Sequence, residues 1–355
     1  MRTPYAVVLA LCVACTDTQD PEPTGAGSTT TATSSSSTPG TNSSGPHTST
    51  GDPQTTLNAS STSGEETSVS TTDESDSTGR TECTPAPDAN PAWLGAYVDD
   101  VVARLTGATE LSPGLTLSER STATSRAATA DWLETEFAAL DLDVEPHAYA
   151  AQGTNIVGRL PATEPGGRTL VVGAHFDSVP GSPGANDNAT GVAFVLALAR
   201  YLGSVECRSH DVVFVGFDQE EVGLVGSEAY AAFLVDQGED VIAVHTIDQM
   251  GWDQDGDRAI ELERADVGLF EIYEAANASL ATPIPLHATG TGFTDHVSFR
   301  AYGFAAIGLT EEFVNGDTTP HYHLSSDTYD TVNFEFLASS CVLANTAFAM
   351  LIDAA

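Results

Sequence analysis

Three apolar runs in the second half of this chain, Thr169–His175, Asp211–Phe217 and Val241–Ile247, each stop against residues that an apolar interior does not hold alone. His175 closes the first run, Glu220 and Glu221 follow the second, and Asp248 follows the third. An unbroken apolar run bounded by turn residues reads as a strand covered on both faces. Helical spacing of apolar residues predicts helices over 91–105, 118–140, 189–202, 224–235, 265–280 and Phe334–Ile352. Shorter strands are expected at 155–160 and 304–309. Strands that alternate with helices give an α/β fold, a sheet with helices on both faces. Such sheets place their sites at strand ends, where these polar residues fall. The sequence shows no internal repeat and no second folded domain.

The first residues differ in character. Residues 1–15 carry one Arg, an apolar stretch from Tyr5 to Ala14, and then Cys15. That pattern fits an export signal, and the stretch is too short for a good membrane span. Ala14-Cys15 resembles a lipoprotein cleavage site, although Cys12 stands where Leu is usual. Cys15 is therefore a candidate lipid anchor, with a soluble secreted product as the rival outcome. Residues 16–88 are rich in Ser, Thr, Gly, Pro and acids, with almost no large apolar side chain as far as Glu82. Such a segment buries too little surface to offset its chain entropy, and a disordered stalk is expected. The remainder, 89–355, is ample for one large core.

The formal charge is −38, and all 12 basic residues are Arg. A chain so acidic is a poor partner for nucleic acid or for anionic membrane surfaces, both of which require basic patches. Five cysteines are present. Cys12 and Cys15 belong to the signal. Cys83, Cys207 and Cys341 remain, and export permits a disulfide among them. Cys207 precedes a strand and Cys341 lies in the terminal helix, so these two could meet, but spacing fixes no pairing.

Five candidate metal ligands follow one another in order: His175, Asp187, Glu221, Asp248 and His323. Two imidazoles and three carboxylates suit zinc. If one carboxylate bridges two ions, the other four ligands give each ion one His and one acid. Residues two apart in a strand point the same way, so Asp177 can orient the ring of His175. Asp187 lies between two Asn residues in a Gly-rich turn before a helix, where a carboxylate could also be a mere N-cap, a reading that the other motifs outweigh. Glu220 and Glu221 are adjacent acids after an apolar strand, a costly pair unless a cation joins them. One can bind metal while the other faces a substrate water as its base. Both His321 and His323 are ligand candidates on spacing alone. Asp295-His296 is a further polar pair, either lining a pocket or buried and hydrogen-bonded. Asp253, Asp255 and Asp257 lack the spacing and closing Glu of an EF-hand, and an acidic turn is the expected reading.

Taken together these motifs resemble the co-catalytic zinc aminopeptidases of bacteria, relatives of glutamate carboxypeptidase and glutaminyl cyclase. The resemblance runs roughly from residue 90 to 355 and rests on separated motifs in the family's order. They are Gly-Ala-His-Phe-Asp-Ser, Gly-Ala-Asn-Asp-Asn-Ala-Thr-Gly, Asp-Gln-Glu-Glu-Val-Gly-Leu, Thr-Ile-Asp-Gln-Met-Gly and His-Tyr-His-Leu-Ser-Ser-Asp-Thr. It implies a single zinc-exopeptidase domain with a mixed central sheet, and two zinc ions per chain bridged by Asp187. Glu221 and His323 would complete one zinc site, and His175 and Asp248 the other. Glu220 would be the general base and Asp177 the partner of His175. The family's last ligand directly precedes the Ser/Thr-rich stretch before Asp-Thr, which selects His323 over His321. Tyr322 would stabilise the oxyanion, as a Tyr before that His does in some relatives. Other relatives place that Tyr shortly before the Asp-His pair, where this chain has Thr291-Gly292-Phe293. The implied activity is removal of N-terminal residues from peptides with a free amino terminus. Three alternatives remain. The first is a glutaminyl cyclase working with one zinc. The second is a carboxypeptidase using a basic group such as Arg300. The third is a non-catalytic binding module, against which the intact ligand set speaks.

Overall fold

In the computed structural model, residues 83–150 and 152–353 are described. The expected export signal, Cys15 and the stalk as far as residue 82 lie outside them. The described residues fall within one compact unit.

Eight strands are found among the described residues. In chain order they are β1 (Asp143–Tyr149), β2 (Gly153–Leu160), β3 (Thr169–His175) and β4 (Asp211–Phe217). Then come β5 (Val241–Ile247), β6 (Ile260–Glu263), β7 (Leu286–Thr289) and β8 (Ala306–Glu311). They form one sheet in the order β1-β2-β4-β3-β5-β8-β6-β7. The centre, β4-β3-β5-β8, is parallel. On one side β2 runs antiparallel to β4 and β1 to β2. On the other, β6 runs antiparallel to β8 and β7 parallel to β6. The sheet is therefore mixed, as expected.

Three strands escape a reading by apolar runs. β1 carries Asp143, Glu145 and Pro146 and is largely exposed. Proline is tolerated there because β1 is an edge strand. β6 and β7 are only four residues each, and β6 places Glu261 and Glu263 in fully buried positions.

Helices α1 (Leu94–Leu105), α2 (Ala123–Ala139), α3 (Gly191–Gly203), α5 (Leu269–Ser279) and α7 (Phe334–Ile352) cover one face. Helices α4 (Val225–Gln237) and α6 (His296–Ala301) cover the other. Period-two alternation divides the central strands between the two cores. Leu170, Val172 and Ala174 of β3 face the larger core, and Val171 faces the smaller. On α7, Leu337, Cys341, Ala344 and Phe348 repeat at helical spacing and are buried. Each fully buried Leu or Phe of this kind contributes about 1.5–3 kcal/mol. Helix α2 starts later than its apolar pattern suggests because Thr122 and Ser125 form a reciprocal cap that fixes its first turn.

Cys83 and Cys207 form a disulfide, and Cys341 is free and buried. The pairing of Cys207 with Cys341 weighed from position is not made: Cys341 points into the core from α7.

Candidate metal centre

The parallel centre of the sheet brings the carboxyl ends of β3, β4 and β5 side by side. His175 closes β3, Glu220 and Glu221 follow β4, and Asp248 follows β5. His175 is fully buried, on the face of β3 that it shares with Gly173. A side chain at Gly173 would run into the ring of Phe217, so only glycine lets β3 and β4 pair closely beneath the site. Beyond His175 the chain turns at Asp177. The Asp177 carboxylate accepts the backbone N–H groups of Glu220 at 3.0 Å and Glu221 at 3.2 Å. It also lies 3.4 Å from His175 Nδ1. One carboxylate thus ties the loop after β3 to the loop after β4.

Asp187 sits in an irregular turn, Ala185–Thr190, just before α3. Asp327 accepts the backbone N–H groups of Asn186 and Asp187, at 2.8 and 3.1 Å. Glu311, at the end of β8, accepts from the Asn186 side chain at 2.8 Å and from the backbone of Gly251 at 2.9 Å. Gly184 precedes this turn at φ +64°, and an added Cβ would meet Asp187 O, Ser178 Cβ and Arg120 Nη2 within 2.8 Å. Arg120 is fully buried. Its guanidinium donates to the carbonyls of Phe176, Leu105, Pro183 and Gly184 at 2.6–2.8 Å. Burial lowers its pKa to about 10, with Asp327, Asp177 and Asp187 opposing the shift. It therefore remains a cation behind the acidic cluster.

His175 Nε2 lies 3.3 Å from Asp187 Oδ1 and 3.5 Å from Asp248 Oδ2. His323 Nε2 lies 3.3 Å from Asp187 Oδ2 and 3.2 Å from Glu221 Oε2. The two oxygens of Asp187 therefore face different histidines, each paired with a further acid. Ligand atoms held about 2.0–2.1 Å from a tetrahedral zinc stand about 3.3 Å from one another. The four spacings match the edges of such a coordination shell. Both ring nitrogens of the fully buried His175 face carboxylates, Nδ1 that of Asp177 and Nε2 those of Asp187 and Asp248, but neither makes a well-formed hydrogen bond. His and carboxylate donors at this spacing fit zinc.

The electrostatics lead to the same place. Left to these neighbours alone, burial pushes the Glu220 carboxyl up to about 10, with His175 opposing and Asp248, Asp295 and Glu221 adding repulsion. Burial and Asp187 push Glu221 up to about 7, and burial raises Asp248. Burial works against charge on His175, but Asp248 and Glu220 hold its pKa well above the usual range. Burial also works to raise Asp187, yet its contacts with His175 and His323 hold it well below the ordinary value. So many buried acids require positive charge. Protons on the histidines supply part of it; a divalent cation supplies more while leaving the imidazoles free to bind.

A cleft of about 120 Å³ opens at the cluster, lined by Asp187, Glu220, Asp248 and His323 together with Glu263, Thr294 and Phe293. Tyr322 also lines it and stacks on His323, ring centroids 3.8 Å apart. Burial and the surrounding acids raise the Tyr322 pKa, so its hydroxyl keeps its proton. His321 instead contacts Ser326 at 3.0 Å and the ring of Trp252, away from the acids. Of the two histidines left open by spacing, the structure brings His323 to the cluster. Arg300 is paired with Asp266 at 2.6 Å and is not free to hold a substrate carboxylate. Asp295 is buried with neither oxygen hydrogen-bonded, and His296 contacts Thr294 and Glu263. Asp253 and Asp255 lie in a turn whose backbone donates to Asp253 and Asp317.

Sequence reasoning missed Arg120, Glu263 and Glu311. Glu311 carried the signal that found Asp248, an acid closing an apolar strand. Arg120 had no signal, since a lone Arg before a helix looks like any surface cation.

Residues 155–344, more than half of the chain, match the sequence model of peptidase family M28. The aminopeptidase YwaD of Bacillus subtilis (strain 168) is 30% identical over 187 residues, covering 50% of this chain and 40% of YwaD. The chain spans about half the length of the known relatives it matches. A zinc aminopeptidase structure from Bacillus subtilis matches with a TM-score of 0.66 at 16% identity, covering 76% of this chain and 97% of that one. A glutaminyl cyclase from Porphyromonas gingivalis matches with a TM-score of 0.60 at 19% identity, covering 75% and 100%. At these identities the structural matches speak to the fold.

Proposed function

The chain belongs to peptidase family M28, and we propose on that premise that it is an exported di-zinc aminopeptidase acting on peptides with a free amino terminus. The observation that carries the reading is the pair of histidines facing opposite oxygens of Asp187, each at 3.3 Å. His175 and Asp248 would hold one zinc, Glu221 and His323 the other, and Asp187 both. When bound, the zincs supply Lewis acidity and lower the pKa of a water at neutral pH.

This chain's own residues do the rest. Glu220 takes the proton from the water and returns it to the leaving amine. The Tyr322 hydroxyl donates to the oxyanion as it develops. Asp177 fixes the ring of His175 and the backbone of Glu220 together, so a ligand and the base keep one relative position. Asp187, Glu220 and Asp248, which line the cleft, would face the substrate's ammonium, which gives preference for an unblocked terminus.

Export is supported by the disulfide between Cys83 and Cys207, since such bonds persist in oxidising compartments. The apolar stretch at residues 5–14 would serve as its signal, with Cys15 as the candidate lipid anchor.

The reading is tested by zinc analysis together with a panel of aminoacyl p-nitroanilides, their N-acetylated forms and peptides beginning with Gln. The expected result is two zincs per chain and hydrolysis of the unblocked substrates alone. One zinc per chain, unchanged on adding zinc, with cyclisation of N-terminal Gln would overturn it in favour of the cyclase chemistry.

A further inference from the structure

The cleft carries an acid that the proposed mechanism does not use. Glu263 closes β6 and is 2% exposed, yet it lines the same cleft as Glu220 and His323. Its close partners are neutral. Thr294 donates to Oε2 at 3.0 Å. His296 Nδ1 is 3.6 Å from the same oxygen, and burial lowers the His296 pKa to about 4. Arg264, next in the chain, donates through Nε to the carbonyl of Gly290 at 2.9 Å and forms no ion pair with Glu263, although its charge favours the carboxylate. A buried carboxylate without a cationic partner is costly, and one facing a cleft can receive that partner from a ligand. Burial and the charge of Asp248 push the Glu263 carboxyl up to about 7, a penalty that an arriving cation offsets.

The rest of the cleft suits a long cationic side chain. Thr291, Thr294 and Thr310 set hydroxyls among the rings of Phe293, Phe313 and Tyr322 in its lining. Phe293, 79% exposed, and Phe313 also line it and can cover an alkyl stem. A lysine places an apolar stem and a charged head in that order. The chain's formal charge of −38 also draws cationic peptides toward it.

We propose that Glu263 is a specificity-determining residue, whose carboxylate binds the side-chain cation of an N-terminal Lys or Arg and directs the enzyme to basic first residues. The proposal rests on the aminopeptidase reading for its substrate and on the cleft geometry for its selectivity. The two fail separately.

The test compares Lys- and norleucine-p-nitroanilide, whose side chains differ mainly in the terminal ammonium. They are hydrolysed by the zinc-loaded protein and by Glu263→Gln, a variant that keeps the shape and can still accept from Thr294. Wild type should favour Lys, and the ratio of kcat/KM for Lys over norleucine should fall about 10- to 100-fold in Glu263→Gln, as expected for loss of a charge-assisted hydrogen bond. A wild-type preference for norleucine overturns the proposal without any variant. So does an equal loss on both substrates, which would mean that Glu263 braces the loop at Thr294 or holds the α-amino group. Binding of lysine hydroxamate and norleucine hydroxamate by calorimetry reads the same ratio without turnover. If no substrate is cleaved but lysine hydroxamate binds more tightly in a Glu263-dependent way, the aminopeptidase reading fails and the cation pocket stands. If neither measurement separates the two side chains, the pocket assignment is wrong.

Discussion

Asp177 accepts the backbone N–H of Glu220 at 3.0 Å through Oδ1, the oxygen that also lies 3.4 Å from His175 Nδ1. A single carboxylate therefore positions a proposed ligand and the proposed base. Asn in its place has one acceptor oxygen, so it cannot serve both backbone N–H groups and the imidazole. Asp177→Asn should lower zinc affinity or activity by about 10–100-fold, the usual cost of losing such a support. Chelator competition and turnover measure it, with thermal unfolding as a check on the fold. Unchanged values for both affinity and turnover would remove Asp177 from the site.

His323 and His321 provide a second, local comparison. His323 faces Asp187 and Glu221 within 3.3 Å, whereas His321 contacts Ser326. His323→Ala should bind less zinc than wild type, and His321→Ala should retain it. Metal analysis after equilibration with limiting zinc gives the answer. The reverse pattern would mean that the loop carrying these residues is wrongly assigned.

The legible parts of this protein are those where burial and chemistry conflict in the sequence itself. His175, Glu220, Glu221 and Asp248 stand out because each interrupts or ends an apolar strand. Asp187 was found by its turn and by the order of its neighbours. Less legible was whatever the fold supplies from a distance. Arg120 reaches four backbone carbonyls, two of them more than sixty positions away, and no local pattern encodes that. Glu263 and Glu261 sit in β6, a strand too short and too acidic to resemble one. The disulfide joined Cys207 to Cys83 rather than to Cys341, because helix periodicity turns Cys341 inward while the segment at Cys83 passes beside Cys207.

Removal of residues 16–82 should leave turnover unchanged. The tract lacks the apolar side chains needed to form a core, and every proposed site residue lies beyond residue 174. The shortened protein keeps Cys83 and hence the disulfide to Cys207. Its kcat/KM on an unblocked aminoacyl substrate should match that of the full chain. A large loss with an intact fold would show that the tract belongs to the catalytic unit.

Glu220 and Glu221 are adjacent, yet the proposed roles make opposite demands on them. Glu221 Oε2 lies 3.2 Å from His323 Nε2, within one proposed coordination shell. Glu220 Oε2 stands farther back, 4.0 Å from His175 Nε2, and lines the cleft where substrate would enter. Gln preserves the shape of either side chain but cannot take up a proton as the carboxylate does. Glu220→Gln should therefore retain its zinc and lose about 10²–10⁴-fold in turnover, the usual contribution of a positioned general base. Glu221→Gln removes a ligand charge and should lose zinc first, with activity following the metal and partly returning as zinc is added. The measurement is zinc content and kcat on one unblocked aminoacyl substrate for both variants, at limiting and at excess zinc. Added zinc should rescue Glu221→Gln and leave Glu220→Gln inactive. Near-full activity in Glu220→Gln with its metal in place would mean that another group accepts the proton.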